Sequence, residues 1–103
     1  YKDIFGDDFY LEVQPNAFDD QVKVNNFYLT MSKKHNIKLV ATSDVHYILK
    51  TDNKDHDVLV CVGTGTDIYN PNRMKYDHNF WLKSEEEMQD GFKYLINTSG
   101  STF

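Results

Sequence analysis

Apolar and polar residues alternate along the segment DDFYLEVQP, which runs from Asp7 to Pro15. Phe9, Leu11 and Val13 occupy every second position of this segment. A period of two is typical of a β-strand whose two faces lie in different environments. Because Gly6 and Pro15 interrupt the pattern at its two ends, we expect a strand between them.

A different period follows between Asp19 and His35. Val24, Phe27, Tyr28 and Met31 recur there at the i, i+3, i+4 and i+7 spacing. This spacing places the four side chains on one side of an α-helix. The segment therefore predicts an amphipathic helix with a single apolar stripe.

Short polar side chains mark the ends of this helix. Asn16 or Asp19 can cap its first turn, since each side chain can accept a hydrogen bond from a free backbone N–H. Asn36 can adopt the left-handed conformation that ends many helices. The basic residues at 33–35 would then lie in the last turn, where positive charge is favourable near the helix dipole.

The next segment, Ile37 to Thr42, carries apolar side chains on both faces, which is typical of a strand buried in a parallel sheet. Strand, helix and strand in this order predict a βαβ unit. Asp44 and His46 follow the second strand directly. We therefore expect them at the carboxyl edge of the sheet, where α/β proteins build their sites.

The pattern beyond the second strand is less regular. Val58, Leu59 and Val62 are compatible with a short helix that ends at Gly63, although their β-branched side chains leave a strand possible. Residues 66–79 have the polar composition of a long loop.

A last helix is predicted after the short apolar segment at residues 80–82. Ser84 and Glu87 have the spacing of a capping box, in which each residue satisfies a free backbone N–H of the other. The apolar side chains that this helix would present are Met88, Phe92 and Leu95.

A chain of 103 residues, 40% of them hydrophobic, has the size of one small domain or of a piece of one. We expect that domain at residues 1–96 and a tail or linker at residues 97–103. No apolar run approaches the length of a membrane-spanning helix, and no signal peptide is recognisable. Because the chain begins at Tyr1 without a methionine, we interpret it as a fragment of a longer protein.

The charge and cysteine content restrict the classes of function. The formal net charge is −5, and Arg73 is the only arginine. Binding to a phosphate backbone needs clustered basic residues, so we expect little direct DNA binding by this segment. A single cysteine, Cys61, cannot form an internal disulfide, which favours a reducing cytoplasm. Its apolar neighbours indicate a buried thiol.

Asp44 and His46 are the candidate metal ligands. A carboxylate oxygen and an imidazole nitrogen are donors that divalent metals accept. Residues i and i+2 also share one face where the chain is extended. Two protein ligands are nevertheless too few for a tight site, and the pair can equally be the polar end of an ordinary strand.

Further donors are present, but each has a simpler interpretation. Glu12 is expected to face solvent or to form a salt bridge, and His56 is expected to be a helix cap or a surface residue. His35 suits a helix end, and His78 suits a solvated loop. The chain contains no CxxC, HExxH or nucleophile-elbow motif, so the candidate chemistry rests on the Asp-x-His pair.

Four segments resemble, in order and separation, the C-terminal part of the PHP (polymerase and histidinol phosphatase) domain. The similarity is to the branch found in bacterial DNA polymerase III alpha subunits. The four segments are YKDIFGDDFYLEVQ, LVATSDVHY, HDVLVCVGTGT and FWLKSEEEM. Together they extend over residues 1–95, and VATSDVHY is the most specific of them.

The resemblance implies a fold and a metal site. The fold is α/β, the C-terminal portion of a distorted (β/α)7 barrel with parallel strands and crossover helices. Asp44 and His46 match two metal ligands of the family, which implies a divalent Zn, Mn or Mg ion in the full-length protein. The remaining ligands of the family, including an HxH motif, would precede Tyr1.

The resemblance also implies an activity for the parent protein. It would be a DNA-directed DNA polymerase that uses dNTPs, DNA and Mg at a separate palm site, with other replisome subunits as partners and no membrane. The PHP domain would be either a metal-dependent 3′–5′ exonuclease or a metal-stabilised structural platform. The isolated fragment is expected to have neither activity, because its ligand set is incomplete.

Two alternatives remain open. One is a stand-alone PHP phosphoesterase acting on a small phosphate ester, and the other is a non-catalytic structural or interaction module. A palm domain in the parent gene would distinguish the polymerase from the phosphoesterase. Metal content of the full-length protein would distinguish either from the non-catalytic module.

Overall fold

A computed structural model describes residues 1–16 and 18–95, and its internal contacts group them into two compact units. The first unit comprises residues 1–43 and 84–95, and the second unit comprises residues 44–83. No helix within these described ranges is long and apolar enough to cross a membrane. The tail predicted at 97–103, like residue 96, lies outside the described residues, so the predicted boundary stays a prediction.

The helices and strands follow one another as in many α/β proteins. In chain order they are α1 (Lys2–Phe5), β1 (Tyr10–Val13), α2 (Asp19–His35), β2 (Lys38–Ala41), α3 (Asn53–Thr64) and α4 (Glu85–Gly91), with 3₁₀ turns at Gly6–Asp8 and Lys50–Asp52. Helix α3 belongs to the second unit, and the other helices and strands belong to the first.

Strands β1 and β2 pair in parallel, with Tyr10 opposite Lys38 and Val13 opposite Ala41. Helix α2 connects the two strands. The predicted βαβ unit is therefore confirmed, and the described chain is α/β with two parallel strands and several helices.

Strand β1 is shorter than the segment predicted from Asp7. A 3₁₀ turn occupies Gly6–Asp8, where Gly6 has a positive φ of 56°. The extended conformation is thus reached only after this turn. The predicted alternation is confirmed within the strand, since Val13 is buried, Leu11 is half-buried and Glu12 is exposed.

Helix α2 has the predicted bounds, and Asn36 ends it in the left-handed conformation with φ 52° and ψ 52°. The predicted N-terminal cap is wrong. Phe18 occupies the cap position in an extended conformation, and it makes no side-chain cap hydrogen bond. A cap must directly precede the first helical residue, whereas Asp19 is already helical and Asn16 lies buried earlier in the chain.

The predicted apolar stripe of α2 is only partly its buried face. Tyr28 packs against the core of the first unit and Met31 is half-buried, but Val24 is 41% exposed and Phe27 is 58% exposed. Asn25, outside the stripe, is completely buried. The spacing therefore predicted the helix correctly and its buried side only in part.

Strand β2 is not buried on both faces, which corrects the prediction for residues 37–42. Leu39 packs against the core of the first unit, but Val40 is 41% exposed. The reason is that β2 contacts β1 and α2, and successive side chains of a strand point to opposite faces. The face away from α2 therefore keeps Val40 accessible.

The last helix, α4, is shorter than predicted: it ends at Gly91, so Met88 lies within it and Phe92 and Leu95 follow it. Its capping box is confirmed, since Ser84 Oγ accepts from the Glu87 N–H at 3.2 Å and Glu87 Oε2 accepts from the Ser84 N–H at 2.9 Å. Met88 packs against the core of the first unit. The fully buried members of that core are Val13, Phe92 and Leu95.

Helix α3 confirms the helical alternative for the Val-rich segment. It continues through Gly63 to Thr64 and ends where Gly65 adopts a left-handed conformation with φ 68°. Glycine in a helix costs only a modest amount of stability, so Gly63 does not stop the helix as predicted. Residues 66–79, all of them described, form no helix or strand, as expected for a loop.

Candidate metal-ligand site

Asp44, the first of the two predicted ligands, has an unusual backbone conformation. Asp44 has a φ of 48°, a left-handed conformation that residues other than glycine adopt uncommonly. The extended geometry predicted for the Asp-x-His segment is therefore wrong at this position. Two residues later, the His46 N–H donates to the Phe80 carbonyl oxygen at 2.8 Å. Tyr47 forms a parallel bridge with Trp81, which joins the segment to the end of the loop.

The His46 ring lies against the Asp44 backbone, with His46 Nδ1 2.6 Å from the Asp44 carbonyl oxygen. A carbonyl oxygen can only accept a hydrogen bond, so Nδ1 is the donor, and in the neutral form of the ring Nε2 keeps a lone pair. Metal-binding histidines are oriented in the same way, by donation from one ring nitrogen to a carbonyl or carboxylate. The tautomer of His46 thus fits coordination through Nε2.

Three aromatic rings contact the side chain of His46, an exposed residue, and we call them the aromatic cage. Their centroids lie 5.5 Å (His56), 5.3 Å (Tyr76) and 4.9 Å (Phe80) from that of His46. Tyr76 also contacts His56 at 5.3 Å and Phe80 at 5.6 Å. Such edge and tilted contacts favour particular orientations of the His46 ring.

His56 was expected to be a cap or a surface residue, and this prediction is wrong. The residue is half-buried in the first turn of α3, which begins at Asn53. Its ring contacts Tyr47 at 5.2 Å in addition to the cage. The helix begins earlier than the Val-rich segment indicated, so His56 lies on its inner face.

An ion pair joins the loop at 66–79 to helix α3. Arg73 Nη1 and Nη2 lie 2.5 and 2.7 Å from Asp57 Oδ1 and Oδ2, a two-point contact. The Arg73 side chain is 7% exposed and that of Asp57 is 24% exposed. Hydrogen bonding by Arg73 holds the pKa of Asp57 below its usual value, and Asp57 raises the pKa of Arg73 in return. Arg73 Nη1 also lies 3.8 Å from the buried Cys61 Sγ.

The pattern of the sequence did not predict this ion pair. Arg73 and Asp57 are 16 residues apart and belong to a helix and a loop, so no local spacing relates them. The one signal available was that Arg73 is the single arginine of an acidic chain.

Three other candidate donors, Glu12, His35 and His78, lie in different parts of the sequence from His46. Glu12, on β1 in the first unit, is exposed and accepts a hydrogen bond from Thr42 Oγ1. His35 is exposed in the last turn of α2, as predicted, and His78 is exposed in the loop. Across residues 1–16 and 18–95, no three His, Cys, Asp or Glu side chains are grouped so as to hold a metal ion.

The donors of Asp44 and His46 fit a divalent metal in chemical type, since they offer a carboxylate and an imidazole. Their roles as ligands remain a prediction. Within the described residues, His46 Nδ1 contacts the Asp44 carbonyl oxygen, and the aromatic cage contacts the His46 ring.

Comparison with known proteins finds no matching family model but several similar sequences. DNA polymerase III subunit alpha of Campylobacter jejuni is 38% identical over 93 residues, which are 89% of this chain. The proteins of the same name from Borreliella burgdorferi and Thermus aquaticus are 40% and 36% identical, over 92% and 84% of the chain. The chain spans only 7 or 8% of the length of these curated relatives.

Proposed function

We propose that this chain is part of the PHP domain of a bacterial-type DNA polymerase III alpha subunit, with Asp44 and His46 as two ligands of its divalent metal site. The observation that carries the proposal is 36–40% identity, over most of the chain, to proteins named DNA polymerase III subunit alpha. The four segments that resemble the PHP domain add the domain assignment. Replicative DNA synthesis from dNTPs, with DNA and replisome partners, is accordingly the activity we assign to the parent protein.

The proposed fold is the C-terminal portion of a distorted (β/α)7 barrel. Its support is the parallel pairing of β1 and β2 around the crossover helix α2. The predicted ligands follow β2 in the chain, as expected for a site at the carboxyl ends of parallel strands.

In the proposed site, the chain supplies ligands and holds them in place. His46 donates its Nδ1 proton to the Asp44 carbonyl oxygen, which leaves Nε2 available as a ligand. The cage contacts the His46 ring, and the Asp44 backbone is left-handed. Asp44 and His46 would hold a divalent metal, which would supply Lewis acidity for the activation of water and for a departing oxygen, as a 3′–5′ exonuclease needs, or would serve a structural role. Polymerisation belongs to a separate Mg-dependent palm site.

The proposal predicts that metal binding by the full-length protein depends on both ligands. After removal of metal and titration with Zn²⁺ or Mn²⁺, the Asp44→Ala and His46→Ala proteins should bind at least about tenfold more weakly than wild type. His78→Ala is the matched control, because His78 is exposed in the same unit outside the cage. Its affinity should not change.

Unchanged metal binding in both ligand variants would refute the assignment and favour the non-catalytic module. Primer extension by the His46→Ala protein adds a second measurement. Retained extension supports a separate polymerase site, whereas a full-length wild-type protein without any extension activity supports the phosphoesterase alternative.

A further inference from the structure

Arg73 and Asp57 hold two segments of the second unit together. The two-point contact fixes the guanidinium plane against the carboxylate, a geometry that lysine cannot reproduce. With a side-chain exposure of only 7%, Arg73 is shielded from water. The contact therefore ties the loop at 66–79 to the first turns of α3.

Residues close to each partner contact the His46 ring. His56 directly precedes Asp57 on α3, and Tyr76 follows Arg73 by three residues in the loop. Both rings pack against His46, at 5.5 and 5.3 Å. The ion pair thus connects the two segments that supply two walls of the aromatic cage.

Stability alone is a poor explanation for this ion pair. Arg73 Nε is buried and has no hydrogen-bond partner among the described residues, so burying the guanidinium carries a cost that the carboxylate only partly offsets. A buried ion pair is weak evidence for net stability, and in some proteins such a pair serves to fix one geometry. In this protein the Arg73–Asp57 pair fixes the position of the loop at 66–79 relative to α3, the two segments that carry Tyr76 and His56.

We propose that Arg73 is a positioning residue for His46, acting through Asp57 and the aromatic cage. With the ion pair intact, His56 and Tyr76 hold the imidazole so that Nδ1 donates to the Asp44 carbonyl and Nε2 is free. Without it, the loop separates from α3 and the ring samples other orientations and tautomers. The consequence for metal affinity rests on the function proposed above, but the consequence for the ring does not.

The test compares the metal-free full-length protein with its Arg73→Met, Arg73→Lys and Asp57→Arg/Arg73→Asp variants. Proteins labelled with ¹⁵N-histidine are measured at mildly alkaline pH, where imidazoles are neutral, and the His46 signals are identified by their loss in His46→Gln. Wild type should show the protonated nitrogen at Nδ1. The Arg73→Met and Arg73→Lys proteins should show averaged ring nitrogens, and the charge-swapped protein should regain the wild-type pattern.

The second readout is the dissociation constant for Zn²⁺, which should rise about tenfold in the two single variants and recover in the charge-swapped protein. Lys23→Met is the matched control. It removes the Lys23–Asp20 ion pair, whose side chains are 76% and 87% exposed, and it should change neither readout.

An unchanged His46 tautomer in Arg73→Lys would overturn the proposal, as would a loss in both single variants that the charge swap does not restore. If Arg73→Met fails to fold, Arg73→Lys decides, because it keeps the charge and the aliphatic stem. If wild type binds no Zn²⁺ through His46, the proposed function fails, while the ring-nitrogen pattern still decides the role of Arg73.

Discussion

Asn25 shows at the residue scale how one buried amide organises the first unit. Its Oδ1 accepts from the Gln14 N–H at 3.3 Å, and its Nδ2 donates at 2.6 Å to the Gln14 carbonyl oxygen and to the Tyr94 hydroxyl. The Gln21 side chain donates to the same Oδ1 at 2.9 Å. The backbone of Gln14, just after β1, is therefore hydrogen-bonded to the side chain of Asn25 on α2. A buried polar group is tolerated here because its hydrogen bonds are made.

Replacing Asn25 by alanine should lower the free energy of unfolding by about 2 kcal/mol, because the half-buried Gln14 backbone groups and the Tyr94 hydroxyl lose their partner. Urea denaturation followed by circular dichroism measures the change. Asn26→Ala is the control, since Asn26 is the next residue of α2 and is only half-buried. Equal stability of the two variants would contradict the role assigned to Asn25.

Among the helices and strands, α4 lies very close to Pro15, which follows the end of β1. A Cβ atom built on Gly91 would lie 2.5 Å from Pro15 Cβ, far inside van der Waals contact. Pro15 is buried, and its ring cannot swing aside as a long flexible side chain could. Gly91 is therefore needed for α4 to bring its apolar side chains onto the core.

We expect Gly91→Ala to destabilise the protein by about 1–3 kcal/mol, the usual cost of overpacking a tight contact. Gly63→Ala is a matched helix control, because a Cβ on Gly63, within α3, meets no atom within 4 Å. That substitution should stabilise the protein by about 0.5–1 kcal/mol through helix propensity. Thermal and urea unfolding measure the change in stability of the two variants. A Gly91→Ala protein more stable than wild type would show that α4 does not pack closely against Pro15.

For the molecule as a whole, the 103-residue chain carries large apolar side chains in contact with solvent. On α3, Leu59 is 66% exposed and Val62 is 72% exposed, and Ile48 in the same unit is 68% exposed. Large apolar patches are uncommon on soluble monomers and usually mark a surface that associates.

The isolated 103-residue chain should therefore self-associate as its concentration rises. Sedimentation velocity measures the effect, and Leu59→Lys/Val62→Lys should shift the chain toward monomer by charging the exposed side of α3. Thr64→Lys, an added charge on an exposed residue of the same helix, should leave the association largely unchanged. A wild-type chain that stays monomeric over the whole concentration range would contradict this prediction.

Much of the candidate site was beyond prediction from the chain alone. Asp44 and His46 were identified by residue type and by their place after β2, and both signals are local. The partners of His46 come from α3 and from the loop, as far along the chain as Phe80. The left-handed conformation at Asp44 had only a weak marker, because aspartate adopts it more often than most residues but far less often than glycine.

The sequence by itself determined the features that depend on neighbouring residues. These are the bounds of α2 with its left-handed end at Asn36, the order of strand, helix and strand, and the capping box of Ser84 and Glu87. Each follows from hydrogen bonds and side-chain periodicity within a few positions, so the local pattern contains the whole cause.

Only the tertiary structure decided which faces are buried and which distant residues meet. It buried Asn25 in place of Val24, and it joined Arg73 to Asp57 across 16 residues. The physical reason is that these choices are made by packing between elements. Several apolar stripes can satisfy the same helical period, and a long-range ion pair forms only once two segments have been brought together.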